Sequence, residues 1–282
     1  MRRQFAHGWL PALKANAPLL IDFRHLTIVR GDQAVLRNFS LQVRRGEHLA
    51  LLGPNGSGKS TLIKAITREL HPLAGGRRFR CQVLGRDDWD LSDLRGHFGI
   101  VALDQLQNLS NEITLRRVTA CEMVLSGFFN SLGLWPHHRP TPAQERRARA
   151  LLRFLEIGHL ARRAVSEMSS GEQRRALIGR ALMHDPEVLI LDEPTNSLDP
   201  GAVREFRAVL RRLARSGRSL ILVTHHVSDL IPEIGRVILM KGGRIVADGP
   251  KSKLLTSRTL SRLFGAKLRV VKRRGNFDVL SS

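Results

Sequence analysis

The sequence predicts an α/β fold: a mostly parallel sheet covered by helices and interrupted by a helical insert. Strand-sized apolar runs, such as residues 188–191 and 219–223, alternate with helical segments. Between those two runs Val203, Phe206, Leu210 and Leu213 recur at spacings of 3, 4 and 3, the stripe of an amphipathic helix, with most neighbouring arginines off it. Strand, helix and strand in that order imply parallel pairing under covering helices. From about residue 108 to 183 the signals turn mostly helical, and Thr141-Pro142-Ala143-Gln144 reads as a capped helix start with proline in the first turn.

Length and composition fit that fold. A chain of 282 residues, 42% apolar and 25% charged, can bury a sizeable core. No stretch approaches the roughly 18 consecutive apolar residues of a membrane-spanning helix. The basic start is interrupted by Pro11, Lys14 and Asn16, so residues 1–18 read as an extension instead of a secretion signal. Cys81 and Cys121 form neither a metal-ligand spacing nor a disulfide framework, which fits a reducing, cytoplasmic setting.

A net charge of +21 admits an anionic partner, nucleic acid included. The basic residues argue for dispersion instead: 38 of the 46 are arginines, spread along the chain and not gathered in one block. The densest groups are Arg204, Arg207, Arg211, Arg212 and Arg215, and residues 267–274.

Chemistry enters at Gly53-Pro54-Asn55-Gly56-Ser57-Gly58-Lys59-Ser60-Thr61, preceded by an apolar run and followed by a helical one. This is the phosphate-binding loop pattern in its strand-to-helix context. Glycines let the backbone curl so that successive N–H groups face phosphate oxygens, and the helix N-terminus adds partial positive charge. Lys59 is placed to bridge the β and γ phosphates, Ser60 to ligate Mg²⁺, and Thr61 to help hold the phosphates. Farther on, an apolar strand over 188–191 ends in Asp192-Glu193-Pro194, so two carboxylates emerge where open α/β sheets bind ligands. Asp192 is the expected Mg²⁺ holder. Glu193, which the following proline biases toward an extended backbone, is expected to polarise the attacking water.

With these residues in view, the chain resembles the ABC ATPase family. Met168-Ser169-Ser170-Gly171-Glu172-Gln173 is similar to that family's signature, Ser197-Leu198-Asp199 to its dimer-contact loop, and Thr224-His225-His226 to its switch histidine. The order of the motifs matches, and the resemblance spans roughly residues 20 to 265. It implies a P-loop NTPase core with an N-terminal antiparallel β portion and a helical subdomain near 104–184. The ATPase domain would then be 19–265 and the tail 266–282. It further implies ATP and Mg²⁺ as ligands, Ser169 and Gly171 reaching the ATP of a second ABC domain, Asp199 at the contact between domains, and His225 on the γ-phosphate. Arg30 stands where the family places an adenine-stacking aromatic, and a guanidinium can stack on a flat ring. Ser170, Glu172 and Met168 replace a glycine, a glutamine and a leucine. The family's Mg²⁺-touching glutamine falls near Leu103; Gln105 and Gln107 are both displaced from it, and Gln105 is the nearer candidate.

Residues 124–129, the 170–175 run and the paired histidines resemble single-domain molybdate-type ATPases, and 254–271 resembles importer ATPases for iron chelates. The reading is therefore the ATP-hydrolysing subunit of a transporter, paired with a second such subunit, a homodimer, and with a separate membrane permease at the inner face of the cell membrane. The alternative is a soluble, non-transport ABC ATPase acting on a ribosome or nucleic acid. Either way Lys59→Ala should abolish tight ATP binding in titration calorimetry; unchanged affinity would refute the phosphate-loop assignment.

Overall fold

A computed structural model describes residues 17–73, 79–102, 116–273 and 276–281. Strands β1 (Leu19–Arg30), β2 (Gln33–Arg44) and β4 (Arg80–Val83) form an antiparallel sheet in the order β2-β1-β4. The second sheet has six strands: β5 (Phe98–Ala102), β6 (Val188–Asp192), β7 (Ser219–Thr224), β3 (His48–Leu52), β8 (Arg236–Lys241) and β9 (Arg244–Pro250), in that spatial order. All its pairings are parallel except β8 with β9. The mostly parallel sheet and the N-terminal antiparallel portion both match the expectation.

The apolar runs are explained by burial on both faces. Along β3, Ala50 and Leu52 join the core on one side while Leu49 and Leu51 join the core on the other. The same alternation splits Leu189 and Leu191 from Val188 and Ile190, and Leu220 and Leu222 from Ile221 and Val223. Period-two side chains on a doubly covered sheet leave no polar position, so the strands read as unbroken apolar runs.

Helices cover these faces: α1 (Lys59–Ile66), α2 (Leu91–His97), α3 (Ala120–Ser126), α4 (Pro142–Phe154), α5 (Ser170–Ala181), α6 (Pro200–Ala214), α7 (Lys251–Leu254) and α8 (Ser257–Phe264). The sequence marks several starts chemically. Thr119, Thr141 and Ser169 each form a capping box, with Glu122, Gln144 and Glu172 reaching back. On α6, Phe206, Leu210 and Leu213 are buried as the stripe predicts; Val209 joins them and Val203 is half-buried. Strands β10 (Leu268–Arg273) and β11 (Asn276–Ser281) add an antiparallel hairpin that the sequence reading did not anticipate.

One turn braces the phosphate loop. Gly242 and Gly243 join β8 to β9 with φ of 56° and 73°, the positive values a two-residue hairpin needs. Gly243 N–H donates to Ser57 O at 3.1 Å, and Gly243 O accepts from Arg37 N–H at 3.0 Å, which pins the turn between the loop and β2. A Cβ on Gly243 would lie 2.0 Å from Val35 O, whereas one on Gly242 meets nothing within 4 Å. Gly242→Ala should therefore cost about 1–2 kcal/mol from backbone strain alone. Gly243→Ala should cost at least roughly 1–3 kcal/mol more, from overpacking against β2. Paired urea denaturation curves check this; equal losses would mean that Val35 gives way freely.

Candidate functional site

Strand β3 runs straight into the loop, and α1 leaves it. Gly56 and Gly58 take φ of 75° and 99°, and Gly58 stands at the N-cap of α1 with no side chain to block the curl. Gly53 has no room for a Cβ, which would lie 2.3 Å from Met240 O. Pro54 O accepts from Ser57 N–H at 3.2 Å, closing the turn through Asn55 and Gly56. Lys59 arches back over the loop: its ammonium donates to Gly53 O at 2.8 Å and Pro54 O at 3.2 Å and lies 3.6 Å from Glu193 Oε1. Thr61 is buried, and the buried Ser57 Oγ has no hydrogen-bond partner among the described residues.

The two carboxylates diverge as expected. Ser60 Oγ donates to Asp192 Oδ2 at 3.3 Å, although 132 residues separate them. Glu193 turns the other way, with Oε2 accepting from the His225 ring at Nδ1 over 2.8 Å and from His225 N–H at 3.3 Å. The means of divergence corrects the sequence reading. Glu193 has φ of 48°, left-handed and not extended, because its N–H donates to Val223 O at 2.8 Å and its carbonyl accepts from Asn196 N–H at 3.2 Å. Those bonds outweigh the conformational bias of Pro194.

Behind these groups lies a buried network that the sequence reading missed. Asp229 accepts from both Thr195 Oγ1 and Thr224 Oγ1, while Thr224 Oγ1 also lies 3.3 Å from Glu193 Oε2. His226 N–H donates to Thr224 Oγ1 at 2.9 Å. The only hint in sequence is an acid four residues past His225. A cavity of about 770 Å³ opens beside His225 and His226, walled on its far side by Leu268, Val271 and Val279 of the hairpin.

The remaining predicted residues are dispersed around this centre. Ser169 is exposed at the N-cap of α5, with Gly171 in the first turn. Asp199 caps α6, accepting from Gly201 N–H at 2.9 Å and Ala202 N–H at 3.0 Å. Arg30 is exposed at the end of β1, whose hairpin partner β2 packs on the loop through Leu36 beside Gly58. Gln105 lies outside the described residues.

For a divalent ion the donors on offer are the Ser60 hydroxyl and the Asp192 carboxylate, both hard oxygens. So sparse a set suits Mg²⁺, which keeps waters and takes phosphate oxygens, and among the described residues no group of three or more His, Cys, Asp or Glu side chains is placed to hold a metal. The unpartnered Ser57 hydroxyl and the curled N–H groups suit a phosphate. A phosphate loop at the end of a parallel strand, with two carboxylates across from it, defines a phosphate-loop nucleotide-binding protein.

Residues 36–196 match the family described as ABC transporter. The phosphonates import ATP-binding protein of Alcaligenes faecalis is 36% identical over 241 residues, covering 84% of each chain. The Nod factor export ATP-binding protein I of Neorhizobium galegae is 34% identical over 255 residues, covering 90% of this chain and 69% of its own. Among solved structures, the dimeric post-hydrolysis state of the ATP-binding cassette MJ0796, bound to ADP and phosphate, superposes with a TM-score of 0.65 at 25% identity, over 82% of this chain and 98% of that one. This chain belongs to the ABC transporter family, as an ATP-binding subunit.

The nucleic-acid alternative gains no support from these relatives, and α6 weakens it further. Arg211 and Arg215 both pair with Glu233, at 3.0 and 2.6 Å, Arg212 pairs with Glu156, and Arg207 donates to Asn276 at 2.6 Å. The densest arginine group is thus largely occupied within the fold. Among the described residues no helix is long and apolar enough to cross a membrane.

Asp229→Ala should leave the Thr195 hydroxyl without its acceptor and the Thr224 hydroxyl with only Glu193 Oε2 at 3.3 Å, and cost about 2–6 kcal/mol in urea denaturation, at about 1–3 kcal/mol for each of the two poorly satisfied groups. Asp229→Asn, which keeps one acceptor, should cost less than half as much. A loss within about 0.5 kcal/mol for the alanine variant, the range of a neutral surface change, would show the network to be dispensable.

Proposed function

We propose that this subunit hydrolyses ATP in a Mg²⁺-dependent reaction, as a homodimer that drives a separate membrane permease from the cytoplasmic face of the membrane. The observation that carries this reading is the meeting of Ser60 with Asp192 at 3.3 Å, beside a lysine and a second carboxylate at 3.6 Å. The division of labour follows from these positions. Backbone N–H groups of Asn55, Gly56 and Gly58 and the free Ser57 hydroxyl cradle the phosphates, Gly53 and Pro54, the latter without an N–H, shape the turn through their carbonyls, Lys59 faces the β and γ phosphates, and Thr61 supports them. Ser60 and Asp192, with Gln105, hold Mg²⁺, which when bound neutralises charge on the phosphates.

Glu193, held by His225 and backed by Thr224, orients the attacking water and accepts its proton. His225, hydrogen-bonded to that carboxylate through Nδ1, faces the γ-phosphate. Arg30 stacks on adenine. Ser169 and Gly171 open the first turn of α5, where N–H groups and the helix dipole favour an anion, and they complete the site of the partner subunit; Asp199 lies at the contact between the two. Residues 19–265 act as the ATPase domain, with the helical subdomain near 104–184, the extension 1–18 and the tail 266–282 flanking that work. The import and export relatives both support a transport role.

Glu193→Gln keeps size and hydrogen bonding but removes the base, so hydrolysis should fall by roughly 10²- to 10⁴-fold while ATP still binds. Trapped ATP should then hold an ATP-dependent dimer on size-exclusion chromatography, with the wild type largely monomeric. A variant that turns over at the wild-type rate would move the activation of water to another group.

A further inference from the structure

We infer that Arg174 is a positioning residue that couples the two nucleotide sites of the dimer, by tying the helix that opens with Ser169 to the loop that carries Glu193. The inference rests on the dimeric reading above and adds to it the physical link between sites.

Arg174 is buried, 4% exposed, in the middle of the first turns of α5. It forms no ion pair with a carboxylate among the described residues. One guanidinium nitrogen donates to Pro194 O at 2.5 Å, the other terminal nitrogen donates to Asn196 O, and Nε has no partner. A charge taken out of water and spent on two main-chain carbonyls is an expensive way to pack a helix, since an apolar side chain of similar volume fills the space at lower cost. What the guanidinium adds is rigidity: its planar fork fixes two acceptors relative to the helix at once.

The segment so held is the strained one. Glu193 and Ser197 take φ of 48° and 61°, and Thr195 between them donates to the buried Asp229. The loop is clamped between Arg174 on one side and Asp229 on the other. Helix α5 is itself braced against α6, with Arg175 and Glu205 at 3.5 Å and space for only an ordinary contact, 3.5 Å, between a Cβ at Gly171 and Ala202.

In the dimer, Ser169 and Gly171 meet ATP held by the partner's phosphate loop, whereas Glu193 acts on ATP held by its own Lys59. A small movement of α5 on arrival of the partner's nucleotide is therefore passed by one stiff side chain to the carboxylate of the other site. The coupling needs no longer path.

Steady-state hydrolysis by the full chain, measured against ATP concentration, tests this. The wild type should be cooperative, with a Hill coefficient between about 1.5 and the limit of 2 set by two sites. Arg174→Met should bring the coefficient to about 1 while titration calorimetry shows wild-type ATP affinity, and Arg174→Met in the Glu193→Gln background should still dimerise with ATP. Arg174→Lys, which can reach one carbonyl, should give an intermediate coefficient; where the methionine variant does not fold, the lysine variant carries the comparison. A folded Arg174 variant with the wild-type Hill coefficient overturns the inference, as does a wild type that is not cooperative although Glu193→Gln dimerises. Absence of any ATP-dependent dimer in Glu193→Gln would instead bring down the dimeric reading beneath it.

Discussion

Everything in this molecule follows from a sheet that is buried on both faces. With apolar side chains filling each side of β3, β6 and β7, those strands have no polar position along their length, and polar chemistry can emerge only at their ends. Parallel pairing sends those ends to one edge. Leu52, Asp192 and Thr224 are neighbours across the sheet, so the phosphate loop, the carboxylate pair and the histidine loop, far apart in sequence, leave the sheet together. The antiparallel sheet and the Gly242-Gly243 turn then close over the loop, and close backbone approach fixes its shape.

That geometry explains what the sequence made legible. The phosphate loop is contiguous: its glycines, lysine and serine form one motif whose conformation depends on residues within it. The caps at Thr141 and Asp199 are local in the same sense, decided within three residues. Glu193 was legible as a carboxylate but not in its backbone. A pre-proline bias is local, whereas the bond from its N–H to Val223 O depends on the neighbouring strand. Arg174 and Asp229 were illegible for the same reason: an arginine beside another arginine reads as surface, and only the folded loop supplies the carbonyls that bury it. Strands β10 and β11 were hidden because short, charge-rich segments such as 267–274 look like solvated tail until they pair.

The excess positive charge has a structural side as well. Arg236 joins β8 to β2 and β9, donating to Glu47 Oε1 at 2.9 Å, to Gln42 O at 2.9 Å and to Asp248 at 2.6 Å. Those partners raise the pKa of its guanidinium above the ordinary arginine value, with the Asp248 bonds the largest influence. Arg147 donates to Met183 O and Leu182 O, so it ties α4 to the C-terminal end of α5. Several arginines thus serve as long multi-donor struts between elements, a use to which lysine, with a point charge, is poorly suited.

The cap of α5 carries a consequence for how its first residue can signal. Ser169 Oγ accepts the N–H of Glu172 at 3.4 Å, while the Glu172 carboxylate accepts the Ser169 N–H at 2.8 Å. A hydroxyl has one proton and two lone pairs, so commitment of a lone pair to the helix orients the proton away from it, toward solvent or an anion in front of the turn. Glutamate in this box, where the related signature has glutamine, can only accept while ionised and so cannot compete as a donor for that anion. The helix behind the serine therefore restricts its hydroxyl: the lone pair given to the turn closes off one direction for the O–H dipole and leaves the proton to the outer side of the cap.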